Sequence, residues 1–110
     1  MNNSQNNNEP QPLNLPGMAV LAKALTDENR LRIIQSLIEG KKPVSRLVEE
    51  LGLSQPLASH HLKELKRALL VTVERNGPFV YYELSDQRII KILTDLSELA
   101  VDLLKARTTF

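Results

Sequence analysis

The stretch VEELGLSQPLASHHL, residues 48–62, constrains this chain more than any other. An amphipathic segment stops at Gly52, and only Leu53 separates that glycine from the start of a second one. Glycine takes the left-handed conformation that ends a helix at little cost. Ser54 can then cap the next helix through its hydroxyl, and Pro56 fits the first turn, where a missing N–H loses nothing. Two helices joined by so short a link must cross steeply and share one core, which is helix-turn-helix spacing. In the first of the two, Ser45 is the expected cap, Leu47, Val48 and Leu51 face inward, and Glu49 and Glu50 face out. In the second, Ala58, Leu62 and Leu65 share a face with His61 beside them. Gln55, Ser59, His60, Lys63, Lys66 and Arg67 lie on the other.

The flanking patterns extend this frame. GMAVLAKALT, from Gly17, predicts a short helix with Met18, Leu21, Ala22 and Leu25 on one stripe. Thr26 or Asp27 can cap the following DENRLRIIQSLIEG, whose apolar set is Leu31, Ile34, Leu37 and Ile38 and which Gly40 ends. Lys41-Lys42-Pro43 forms a short basic link. After Leu69 the period changes to alternation. VTVER and FVYYEL flank Asn76-Gly77-Pro78, a hairpin with Tyr82 and Leu84 inward and Tyr81 outward. Pro78 cannot donate the N–H that would close an Asn-Gly turn, so a longer, open loop is expected. Ser85 is the expected cap of a last helix running to about Ala106. Its apolar residues Ile89, Leu93, Leu96, Ala100 and Leu103 recur in steps of four and three, as in a coiled-coil seam.

The expected fold is therefore mainly α with a small β-hairpin wing: four helices, a hairpin and a fifth helix, in winged helix-turn-helix order. Residues 1–16, MNNSQNNNEPQPLNLP, have little to bury and read as a disordered tail. The domain spans 17–106, and 107–110 form a C-terminal tail. A chain of 110 residues can bury one core but gains from oligomerisation. The seam of the last helix is too long to bury within so small a fold. Together with Met18 and Leu21 it predicts a homodimer.

Several classes of function are excluded. Without cysteine the chain has no disulfide framework, thiolate metal site or thiol redox chemistry. There is no glycine-rich phosphate loop and no nucleophile–base spacing, so no enzyme and no cofactor are expected. No apolar run reaches the ~18–20 residues of a membrane span. The N-terminus lacks a signal peptide's basic start and apolar centre, so a cytoplasmic location is expected. Net charge is only +1, so the placement of charge has to carry any argument about nucleic acid.

That placement favours double-stranded DNA. Side chains at the start of such a helix can reach base edges in a major groove, with glutamine suited to adenine. Ser54, Gln55, Pro56, Ser59, His60 and Lys63 are the candidates there, and Lys66 and Arg67 suit phosphates. Arg75 and Asn76 lie near the wing tip. A polar outer face on a lone helix is ordinarily just solvated; here the helix pair and the basic-tipped hairpin follow in order. Lys41 and Lys42 are either a solvated link or a phosphate contact. His61, bordering the apolar face, reads as a hydrogen-bonded packing residue. His60 and His61 cannot pair on a metal, because adjacent helical side chains diverge by roughly 100°.

ALTDENRLRIIQSL, LSQPLASHHLKELKRALLV and NGPFVYYELS resemble the winged-helix repressors of the ArsR/SmtB family, over residues 19 to about 105. The resemblance implies a homodimeric transcriptional repressor whose first and last helices form the interface, with a recognition helix from Ser54 to Ala68. Two departures from the family pattern stand out, one at the metal-sensing positions and one at Leu69. Pro43, Ser45 and Val48 fall where some members place metal-sensing cysteines. Asp86, Arg88, Leu99 and Asp102 fall where others bind metal on the last helix, so no metal site is expected; Asp86 then complements a helix dipole and Asp102 is surface. Leu69 occupies the place of a helix-ending glycine. It either takes a left-handed conformation, at about 1 kcal/mol, or ends the helix in another way. The rival reading is a winged-helix protein-interaction module without a DNA role. What would relieve repression, a small molecule or a protein effector, is left open by these residues.

Overall fold

The structure, a computed structural model, describes residues 11–109. Its order is α1 (Leu15–Ala24), α2 (Glu28–Leu37), β1 (Lys42–Pro43), α3 (Val44–Leu51), α4 (Gln55–Arg67), β2 (Val71–Asn76), β3 (Phe79–Leu84) and α5 (Arg88–Leu104), followed by a 3₁₀ turn, Lys105–Thr109. This is the expected winged helix-turn-helix, with one addition. Lys42 and Pro43 are not a bare link but a short strand on the wing, giving an antiparallel sheet of order β1-β3-β2.

The helix boundaries show how local chemistry acts. Asn14 caps α1 through Gly17 N–H, so the helix starts at Leu15, inside the stretch expected to be tail; residues 1–10 of that tail lie outside the described residues. Asp27, not Thr26, caps α2, accepting from the N–H groups of Asn29 and Arg30. Pro43 precedes α3 in an extended conformation, so Ser45 lies inside the helix and caps nothing. Gly52 takes φ 66° and ends α3 as expected. Ser54 accepts from Leu57 N–H at the start of α4.

The core is built on Ile33, Ile34, Leu37, Leu47, Leu62, Leu65, Leu70, Val71 and Leu84. Ile33, not Leu31 or Ile38, completes the buried stripe of α2. Leu31 and Ile38 line an open groove between α2 and α5. The last helix starts later than expected. Ser85 does not cap it; its N–H and hydroxyl donate to the carbonyls of Leu70 and Leu69, tying the start of α5 to the end of α4. Asp86 accepts from Arg88 N–H instead. The Arg88 guanidinium and that N–H hold the Asp86 carboxyl at about 2.

The wing turn is tighter than expected. Asn76 pairs with Phe79, leaving Gly77-Pro78 as a two-residue connection. Gly77 has φ 62°, which suits a turn whose first central residue alone needs positive φ. In this register Phe79, not Pro78, lies opposite the turn's carbonyl, so the proline costs no hydrogen bond. On β3, Leu84 is buried and Tyr82 packs on the core. Tyr81 is half-buried, with the Lys41 ammonium 5.7 Å and the Phe79 ring 6.2 Å from its ring.

Two elements stand apart from this core. In α1 only Ala24 is buried, and in α5 only Ile89. The radius of gyration is 16.9 Å, against about 13 Å for a compact chain of about 100 residues.

Candidate nucleic-acid interface

The core turns one face of α4 inward and leaves the other bare. Ala58, His61, Leu62 and Leu65 are buried, whereas Gln55, Pro56, Ser59, His60, Lys63, Lys66 and Arg67 are exposed. Gln55, Ser59 and Lys63 follow one another at four-residue steps, so they form a single stripe along the helix. Leu57, which the sequence pattern did not single out, is 39% exposed in the first turn of this face. An apolar side chain there is suited to a thymine methyl group. The Ser54 oxygen is used in capping, but its O–H proton can still donate.

The end of α4 is unusual. Leu69 takes φ 63°, the strained alternative. Its N–H donates to Lys66 O, and Leu70 N–H donates to Leu65 O, the paired bonds of a Schellman termination. Leu65 and Leu70 are both buried and supply its apolar contact. The side chain of Leu69 is 77% exposed. A strained leucine thus stands where glycine would serve, held because the two bonds and the buried pair fix the chain's path into β2.

Electrostatics separate the interface from the rest of the surface. Most of the cations are engaged internally. Lys42 is the clearest correction: it is buried, and its ammonium bonds Glu39, Glu50 and Ser36 at 2.6–3.0 Å. The bonds to Glu39 and then Glu50 raise its pKa, and that to Lys42 lowers Glu50's. Lys42 therefore braces α2 and β1 against α3 and is unavailable to phosphate. Lys41, its exposed neighbour, pairs with Glu74 at 2.9 Å. Arg67 pairs with Glu64 at 3.0 Å. Among the described residues, the cations with no partner are Lys23, Lys63, Lys66, Arg75 and Arg107. Three of those five lie on α4 and the wing. Arg75 pairs across the ladder with Val80, one step from Asn76 at the tip, and both Arg75 and Asn76 are exposed.

The predicted dimer residues divide. Ile89 is in the protomer's own core and Leu93 packs against it, so neither belongs to an outward seam. Ala100 is half-buried, while Met18, Leu21, Leu96 and Leu103 are exposed. The exposed apolar stripe of α5 is a neighbouring one, Ile92, Leu96, Leu99 and Leu103, and α1 likewise exposes Leu15, Met18 and Leu21. Sequence spacing finds a heptad period but not which of two adjacent stripes a small core claims. Among the described residues, no three His, Cys, Asp or Glu side chains are grouped as a metal ion requires. No helix there is long and apolar enough to cross a membrane.

Comparison with known proteins places this geometry. Residues 27–73 match the model of the bacterial regulatory proteins of the arsR family. The arsenical resistance operon repressor of Bacillus subtilis is 39% identical over 66% of this chain and 70% of its own length. The chain belongs to the ArsR family. The transcriptional repressor SmtB of Mycobacterium tuberculosis is 43% identical over 68% of this chain, which spans little more than half, 56%, of that relative. A homodimeric winged helix-turn-helix DNA-binding domain from Mycobacterium bovis superposes with a TM-score of 0.75, at 27% identity over 84% of this chain and 85% of that one. These ArsR-family relatives are transcriptional regulators rather than enzymes.

Proposed function

We propose that this ArsR-family protein is a cytoplasmic, dimeric transcriptional repressor that binds an inverted-repeat operator without a metal sensor. One observation carries the reading: α4 and the wing expose amides together with Lys63, Lys66 and Arg75, three of the five unpartnered cations among the described residues, while most other cations are engaged within the fold. Gln55 and Ser59, one turn apart near the start of α4, read base edges, with the Gln55 amide set for adenine. Ser54, His60, Lys63 and Lys66 take phosphates or flanking bases, and Pro56 and Leu57 make apolar contact. Arg75 and Asn76 reach the backbone or minor groove beside the site, and Arg67 joins them if its bond to Glu64 yields.

The exposed stripes of α1 and α5 are the dimer interface, since so many exposed large apolar side chains on two helices mark an interaction surface. A two-fold axis there presents two copies of α4 on one side. Their targets are successive major grooves, with half-site centres about 34–36 Å apart or a multiple of that. Metal plays no part: no thiol is present, Asp86 is committed to Arg88, and Asp102 is an exposed surface carboxylate beside Lys105. Selection of duplexes from a random pool by the wild-type protein tests the reading. An enriched inverted repeat with that spacing supports it. A pool that remains unenriched, with no salt-dependent binding, overturns it.

A further inference from the structure

The recognition helix is held from behind by a buried imidazole. His61 is 4% exposed, although its neighbour His60 is exposed. Arg30, on α2, places Nη1 3.2 Å from His61 Nδ1 and donates from Nε to the Ala24 carbonyl at the end of α1, at 2.6 Å. On the other side of the ring, Asp27 Oδ1 lies 3.7 Å from Nε2. A guanidinium can only donate, so Nδ1 must accept and the ring proton must sit on Nε2, facing Asp27. The α1–α2 corner and α4 are thus joined through one protonation state and one tautomer of one side chain.

A second proton would reverse that contact. It can go only on Nδ1, where it meets a cation with no lone pair to offer. Asp27 attracts an imidazolium, but its carboxylate already accepts from two backbone N–H groups. The other charged groups near this side of α4 are His60, with ring centroids 5.4 Å apart, and Lys23, Glu64 and Arg67, which line the adjoining cavity with Arg30. Cations predominate there. Burial first, then the charges of Arg30 and His60, lower the pKa of His61, with Asp27 opposing.

We propose that the Arg30–His61 contact is a proton-operated latch on the recognition helix. Neutral His61 holds α4 in its DNA-binding position, and protonation expels Arg30 and loosens α4 from the α1–α2 corner. The consequence for DNA rests on the function proposed above; the latch itself does not. The sign is fixed by the lowered pKa. The folded state prefers neutral His61, so its contribution to stability is complete above the unfolded value near 6.5 and is lost as pH falls through that value toward the lower folded one. A phosphate contact by His60 would act in the opposite sense, strengthening DNA binding on acidification.

The chain has only two histidines, which makes the test direct. Imidazole ¹⁵N spectra of the free protein should show His61 as the Nε2–H tautomer at pH 7.5. Amide exchange in α4, corrected for intrinsic rates, should accelerate as His61 titrates. His61→Gln, whose oxygen accepts from Arg30 at every pH, should abolish that acceleration. Should His61→Gln fail to fold, Arg30→Gln, which can donate to neutral Nδ1 or accept from its protonated form, should raise the pKa of His61 and remove the response. On a duplex selected at pH 7.5, wild-type affinity normalised to its own pH 7.5 value should fall relative to normalised His61→Gln, approaching tenfold per protomer for each unit below the pKa. His60→Gln, whatever it does to affinity, should keep the fall. An Nδ1–H tautomer, or the same α4 exchange response in wild type and His61→Gln, overturns the latch. Failure of the wild type to bind any duplex overturns the DNA reading, while the exchange and tautomer measurements decide the latch by themselves.

Discussion

Replacing Leu69 by glycine should stabilise this protein. Leu69 holds φ 63° with its side chain 77% exposed, so truncation removes a steric clash and almost no packing. A residue with a Cβ in the left-handed conformation carries about 1–2 kcal/mol of strain. Glycine gives back roughly 0.5–1 kcal/mol through its greater freedom in the unfolded chain. The net gain is about 0–1.5 kcal/mol and centres on roughly 0.75 kcal/mol, or about 3–6 °C in melting temperature for a domain of this size. The two bonds that end α4, from Leu69 N–H to Lys66 O and from Leu70 N–H to Leu65 O, are unaffected by the change. Leu69→Ala keeps the Cβ and should leave stability within about 0.5 kcal/mol. Denaturant titration and thermal melts at one fixed protein concentration measure all three proteins, since a dimer's stability depends on concentration. A Leu69→Gly protein less stable than wild type, or a gain equalled by Leu69→Ala, would refute the strain argument.

Wild-type protein should scatter light as a dimer at micromolar concentration, and Leu96→Glu with Leu99→Glu should give monomers that bind DNA poorly; a wild-type monomer contradicts the interface. Arg75→Ala should weaken binding to all sequences alike and lower the salt slope by about two for a symmetric dimer, as seen in titrations at several salt concentrations. Lys42→Met should lower the melting temperature clearly at pH 7, whereas Lys63→Ala should not, because only Lys42 has carboxylate partners. The Glu50 carboxyl is depressed by Lys42, so its contribution is present above the unfolded pKa and lost as pH falls through about 4.3 and below. The gap between Lys42→Met and wild type should narrow over that range.

The helix-turn-helix was legible because its determinants are local. Gly52, Ser54 and Pro56 act within a few residues of themselves, and each behaves as its chemistry dictates. Leu69 was legible as an anomaly, but its handedness depends on Leu65 and Leu70 being buried together, which is a tertiary fact. Lys42 shows the same limit from the other side. A lysine beside proline in a basic link suggests solvent, and only packing brings Glu50 from α3 within 2.6 Å of it. The displaced seam on α5 and the exchange of Ile33 for Leu31 and Ile38 have one cause: periodicity gives the repeat of a helix, while its rotation is set by neighbours far away in sequence. The Arg30–His61 contact spans 31 positions, and no spacing rule anticipates it.

On the function proposed above, α4 reads sequence from the stripe begun by Gln55. The most direct test is Gln55→Ala, titrated on the selected duplex, on variants changed at each position of the half-site, and on random duplexes. The expected outcome is a loss of about 1–3 kcal/mol on the selected duplex, relaxed preference at one position in each half-site, and little change in salt slope or in affinity for random duplexes. A loss equal on all duplexes with a reduced salt slope, or no loss at all, would contradict it.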